Sequence, residues 1–116
     1  RTYAELLVRA APALAAGWPV VLDGAYLRRA QRDAAAAFAA AQGVRCTLLH
    51  CTAPMALLRE RVAARQGDAS EADVGVLETL ARVAEPLGDD ERRRTITVDT
   101  AKPFDAAAVA AAWAAA

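Results

Sequence analysis

The chain has 116 residues, 56% of them hydrophobic and 24% charged, with 14 basic residues balancing 14 acidic ones. That length fits one compact domain or a piece of a larger one, and the balance gives no support to a chain that coats nucleic acid or lies on a membrane surface. No apolar run approaches the ~20 residues that cross a bilayer, and two cysteines with one histidine make no zinc spacing.

Thr2 and Glu5 read as a capping box opening a first helix, with Leu6, Leu7, Ala10 and Leu14 as its apolar stripe. Pro12 is placed to kink that helix and Gly17 to end it. Residues 19–23, Pro-Val-Val-Leu-Asp, read as a short strand buried on both faces, the pattern of a parallel sheet. A second helix follows Gly24, with Leu27, Ala30, Ala34, Phe38 and Ala41 on its inner side and Gly43 as its stop. Residues 45–51 form the next predicted strand. Within it Cys46 and Cys51 stand at an odd spacing that points them to opposite faces, as buried free thiols of a reducing, cytoplasmic compartment.

Pro54 introduces a helix from Met55 to Arg65, broken by Gly67-Asp68-Ala69-Ser70. Ser70 and Asp73 start another helix, whose core side is Val74, Leu77, Leu80, Ala81 and Ala84. Pro86 and Gly88 end it, and residues 89–94 are expected to be a solvated turn. Residues 95–99 alternate as an edge strand with one wet side. Pro103 and Asp105 open a final helix, alanine-rich and anchored by Val109 and Trp113.

Strands alternating with helices predict an α/β fold, a three-layer α/β/α arrangement around a short parallel sheet of three strands. All three strands then end at one sheet edge. Asp23, Cys51-Thr52 and Asp99-Thr100 would gather there, where open α/β sheets bind ligands.

Three groups of residues carry chemistry. Asp23, at the tip of a buried strand, suits a carboxylate holding Mg²⁺ through water, or one that simply caps the next helix. Arg61 and Arg65 stand four apart on one helix face. Guanidinium forks match phosphate oxygens and stabilise charge in phosphoryl transfer; the plainer alternative is two solvated arginines paired with Glu60, Asp68 or neighbours. Arg28, Arg29 and Arg32 form a similar cluster, read as a solvated helix face.

Residues 20–27, Val-Val-Leu-Asp-Gly-Ala-Tyr-Leu, with Arg32 nine positions after Asp23, resemble the Walker-B-type strand of the zeta-toxin, gluconate-kinase and polynucleotide-kinase-like P-loop kinases. In that family a helix follows, then a strand ending near Ala-Pro, then a helix with spaced arginines. Here those pieces are Leu48 to Pro54, then Leu58, Arg59, Arg61 and Arg65. Residues 66–73 look like the lid segment and residues 85–87 like its return. The combination most resembles AAA-family ATPases, often fused behind an aminoglycoside-phosphotransferase-like domain, and spans nearly the whole chain.

The resemblance implies that Asp23 lies near Mg²⁺, that Arg61 and Arg65 reach ATP phosphates, with Arg65 foremost, and that the loop from Thr100 to Lys102 lies by the adenine. Two pieces of the family pattern are missing. A P-loop needs Gly-x-x-x-x-Gly-Lys-Ser/Thr, but the sole lysine is Lys102, preceded by Ala101. The family's catalytic carboxylate also lies upstream of the Asp23 strand, and many members carry a polar residue where this chain has Gly24 and Ala25.

The expectation is therefore the carboxyl-terminal part of an ATP-dependent kinase, beginning at Arg1 without the phosphate-binding segment and inactive alone. Its parent would bind ATP and Mg²⁺ and phosphorylate a hydroxyl of a small molecule or polynucleotide; the isolated fragment would hold neither cofactor. Its partners would be the missing P-loop segment and the acceptor, with no membrane. The family's sheet order sets the P-loop strand between the Asp23 strand and the Leu48-Leu49 strand, so the fragment is expected to form homo-oligomers through the strand edges left open. A non-catalytic α/β interaction or regulatory module is the alternative from another class, and a flavodoxin-like or receiver-like domain a third; the scarcity of Gly-rich loops argues against that last one.

Overall fold

Helix α1 spans Thr2–Ala15 and α2 Arg29–Ala41. Strand β1, Leu48–Thr52, is followed by α3 (Met55–Gln66), α4 (Glu71–Val83) and the short α5 (Asp89–Arg92). Strand β2, Thr95–Asp99, and helix α6, Ala106–Ala115, complete the order. This is a computed structural model, and it describes residues 2–66 and 71–116. The chain divides into two compact units, residues 1–46 and residues 47–116. No helix among the described residues is long and apolar enough to cross a membrane.

In the first unit both glycine stops act as expected. Gly17 takes a positive φ of 88°, and the N–H groups of Gly17 and Trp18 donate to Leu14 and Ala13, each at 3.0 Å. Gly43, with φ of 71°, ends α2 in the same way through its own N–H to Ala40 at 3.1 Å and that of Val44 to Ala39 at 3.0 Å. Both are Schellman closures, which satisfy carbonyls left over at a helix end. Helix α1 already includes Thr2 and runs on through Pro12, so Thr2 is a helical residue rather than the cap.

Two expectations for this unit are corrected. Residues 19–23 form no strand, and Val21 is 75% exposed. A strand exists only by pairing, and among the described residues nothing pairs with this run. Helix α2 also starts later than predicted and buries another face: Ala39 and Arg32 are buried, whereas Ala30, Ala34 and Ala41 are exposed. A helix made mostly of alanine offers little apolar contrast from which to read its inner side.

The second unit is built on the two strands. They pair in parallel, with Leu48 opposite Thr95 and Thr52 opposite Asp99. The sheet thus has two described strands, not three. The fold remains α/β, but the open slot expected between the Asp23 strand and β1 loses one of its sides. Cys51 is exposed and Cys46 half-buried, both as free thiols, so the buried-core reading fails for Cys51.

Residues 89–94 are not simply a solvated turn. They contain α5, and Glu91 is fully buried, accepting the Gly88 N–H at 3.0 Å through Oε1 and the Thr95 hydroxyl at 2.6 Å through its carbonyl. Val98 of β2 is the buried apolar residue of this unit among the described ones. Helix α6 opens as expected, with the Asp105 carboxylate accepting from Ala107 N–H at 2.9 Å. Of the lid segment 66–73, residues 67–70 lie outside the described residues, while the positions on either side belong to α3 and α4.

Candidate functional site

Parallel pairing makes β1 and β2 end together, and the turn after β2 is ordered by its own side chains. The Asp99 carboxylate accepts from Ala101 N–H at 3.0 Å, the local closure that aspartate favours in turns. Thr100 is thereby set against the end of β1. Its N–H and its hydroxyl both donate to the Thr52 carbonyl, each at 2.8 Å. The Thr52 hydroxyl in turn donates to the Val98 carbonyl at 3.3 Å.

Helix α3 brings Arg61 to the same edge. Its Nη1 donates to the Thr100 hydroxyl oxygen at 2.9 Å and its Nη2 to the Thr100 carbonyl. Arg61 is exposed, and with Thr52, Leu58 and Thr100 it lines an open depression of about 490 Å³. Glu60 is not needed to explain where its guanidinium lies, and Asp68 lies outside the described residues. Arg59, by contrast, turns to α4 and pairs with Glu78. Arg65 follows Arg61 by one turn along α3, and its side chain lies outside the described residues. Lys102 lies in the same turn as Thr100, its ammonium exposed and 3.9 Å from Asp99.

The second cluster belongs to the first unit and surrounds the Asp23 loop. Tyr26 holds a positive φ of 47°, unusual for a residue with a bulky side chain. Three contacts hold it there. Its N–H donates to the Tyr3 hydroxyl at 3.1 Å, its carbonyl accepts from Arg32 Nη1 at 2.9 Å, and its ring meets that of Tyr3 edge-on at 4.5 Å between centroids. Arg32 is only 4% exposed, so the solvated-face reading fails for Arg32; Arg29 is half-buried and pairs with Asp33, and Arg28 is exposed.

Gly24 sits under these rings; a Cβ there would lie 3.1 Å from Tyr3 Cε1 and 3.3 Å from Tyr26 Cε2. Burial pushes the Tyr26 hydroxyl above its ordinary value near 10, and the Tyr3 hydroxyl and Cys46 thiol add to the shift. Sequence reasoning missed this cluster. Its one visible signal was a pair of tyrosines in a chain with only 5% aromatic residues.

Arg61, Thr100 and Lys102 are thus brought to one edge of the second unit. Asp23 is an exposed carboxylate in an irregular loop of the first. The donor set at the sheet edge fits a phosphate: a guanidinium has five N–H donors, and Thr100 engages two groups of them. Among the described residues no group of three or more His, Cys, Asp or Glu could hold a metal ion. Mg²⁺ held through water by one carboxylate and by phosphates needs no such group, so Asp23 remains compatible with it.

A family model described as an AAA domain matches residues 1–87. The chain belongs to this AAA domain family. No curated protein and no solved structure matches it. The AAA assignment brings a P-loop NTPase-like fold and suggests nucleotide binding. The match takes in the Asp23 loop and the α3 arginines and stops before β2, so Thr100 and Lys102 lie outside it.

Proposed function

We propose that the chain is the carboxyl-terminal part of an ATP-dependent kinase that phosphorylates a hydroxyl of a small molecule or polynucleotide. In this reading Arg61 and Arg65 bind phosphate oxygens, Asp23 holds Mg²⁺ through water, and residues 100–102 flank the adenine. ATP supplies the transferred phosphoryl group; these residues bind it, orient it and offset its charge.

The observation that carries the reading is Arg61, exposed at the carboxyl-terminal edge of a parallel strand pair and held there by Thr100. Ligands of open α/β sheets bind at such an edge. Apolar side chains left bare, Val21 at 75% and Leu49 at 53% exposure, also support a further segment packing on the chain. The sequence contains no Gly-x-x-x-x-Gly-Lys-Ser/Thr loop, and that loop supplies the N–H groups and lysine that hold the phosphates. MgATP titrated into the chain by calorimetry is therefore expected to bind more weakly than ~10 μM, about 7 kcal/mol. Tighter binding would overturn the carboxyl-terminal-part reading and favour a self-sufficient site.

A further inference from the structure

We infer that Thr100 is a positioning residue: it aims the Arg61 guanidinium across the sheet edge, a role added to its proposed place beside the adenine. The direction of each hydrogen bond follows from chemistry alone. A guanidinium has no acceptor and a carbonyl no donor. The Thr100 hydroxyl must therefore give its proton to the Thr52 carbonyl, at 2.8 Å, and turn a lone pair toward Arg61 Nη1, at 2.9 Å. The Thr100 carbonyl accepts from Nη2 of the same side chain. One residue thus meets both terminal nitrogens of the fork, while β1 meets both the N–H and the hydroxyl of that residue.

The anchor belongs to the strand ladder, whereas Arg61 is an exposed side chain of a helix. Thr52 is the last residue of the paired strand, and its own hydroxyl is bound to Val98, the buried residue of β2. An exposed arginine loses much rotamer freedom when it is fixed. Two converging bonds from a strand-anchored residue pre-order it before any ligand arrives, which lowers the cost of binding. Among the described residues the remaining guanidinium N–H groups are left for an anion. That last step rests on the phosphate reading of Arg61 above; the Thr100–Arg61 assignment does not.

The test uses the 116-residue chain with inorganic tripolyphosphate as the probe. Nitrogen NMR of the Arg61 side chain reads rotation about its Nε–Cζ bond, and a titration of the same sample reads affinity. In the native chain the two Nη atoms are expected to exchange slowly. Thr100→Val, which keeps the shape but loses the hydroxyl, should speed that exchange and weaken tripolyphosphate binding by about threefold to tenfold, the worth of one such bond. Thr100→Ser should restore both. If Thr100→Val unfolds the chain, Arg61→Lys replaces it: a lysine cannot meet two acceptors as a planar fork, and weakening by a similar factor is expected. Unchanged exchange and affinity in Thr100→Val would overturn the assignment. Faster exchange in Thr100→Val together with unchanged affinity in Arg61→Ala would uphold the Thr100–Arg61 assignment and defeat the phosphate reading.

Discussion

The sheet edge of the second unit and the Asp23 loop of the first solve the same problem by different means. Each must hold an irregular segment that carries a candidate site residue. At the edge, ladder pairing comes first, and Thr52, Thr100 and Arg61 extend it with directed bonds. In the loop no ladder exists among the described residues. Two tyrosine rings close over Gly24, and a buried arginine pins the Tyr26 carbonyl. The contrast teaches that an edge built on paired strands can leave its arginine exposed and still oriented. A loop without pairing must bury side chains to obtain comparable order, and here it does so around a strained backbone.

The largest expected effect tests whether the arginines of α3 serve chemistry rather than stability. In a protein that carries a Walker A loop ahead of these residues, Arg65→Ala should lower kcat by about 100-fold with an unchanged melting temperature, as removal of a transition-state contact does. Turnover within about threefold of the parent would reduce Arg65 to a surface residue. Next in size is Glu91→Ala, which takes a fully buried carboxylate away from the Gly88 N–H. Chemical denaturation should record a loss of about 2–3 kcal/mol, typical of a hydrogen bond to a charged group with its desolvated partner left behind. A loss below ~0.5 kcal/mol would mean that the Glu91 carboxylate contributes nothing to holding the start of α5.

Gly24→Ala probes the loop. Its Cβ would press on Tyr3 at 3.1 Å and on Tyr26 at 3.3 Å, so the ring pair must shift. A cost of about 1–2 kcal/mol, the usual penalty for overpacking, is expected in a thermal melt followed by tyrosine fluorescence. An unchanged melt would show that the rings yield freely and do not clamp the loop.

The smallest effect has the least usual sign. The Tyr26 hydroxyl is buried without a hydrogen-bond partner among the described residues, so Tyr26→Phe should be neutral or stabilising by up to about 1 kcal/mol at pH 7. Because the folded-state value of this hydroxyl is raised above 10, its neutral form stabilises the fold fully below pH 10. That contribution is lost as pH rises through the folded value. Melting curves between pH 9 and pH 11 should therefore fall more steeply for the native chain than for Tyr26→Phe; parallel curves would refute the burial of that hydroxyl.

Local signals were legible in the residues alone. Gly17 and Gly43 end their helices because glycine takes positive φ without a Cβ clash. Asp105 caps α6, and Pro54 stands immediately before α3. The alternation of residues 95–99 and the apolar run before Pro54 marked both strands that form, and with them the α/β class. Arg61 and Thr100 were legible as candidate site residues only one at a time. Their contact spans 39 positions in sequence and depends on parallel register, which no local pattern encodes. Tertiary structure alone decided that residues 19–23 stay unpaired, that Arg32 and Glu91 go inside, and that α2 turns an unexpected face inward. The reason is common to all three: a strand needs a partner, a buried charge needs bonded neighbours, and an alanine helix needs a surface to choose its side. A partner strand and a packing surface must come from residues distant in the chain. The bonds described for Arg32 and Glu91 reach Tyr26, Gly88 and Thr95, within six positions, but only the folded backbone turns those groups toward them.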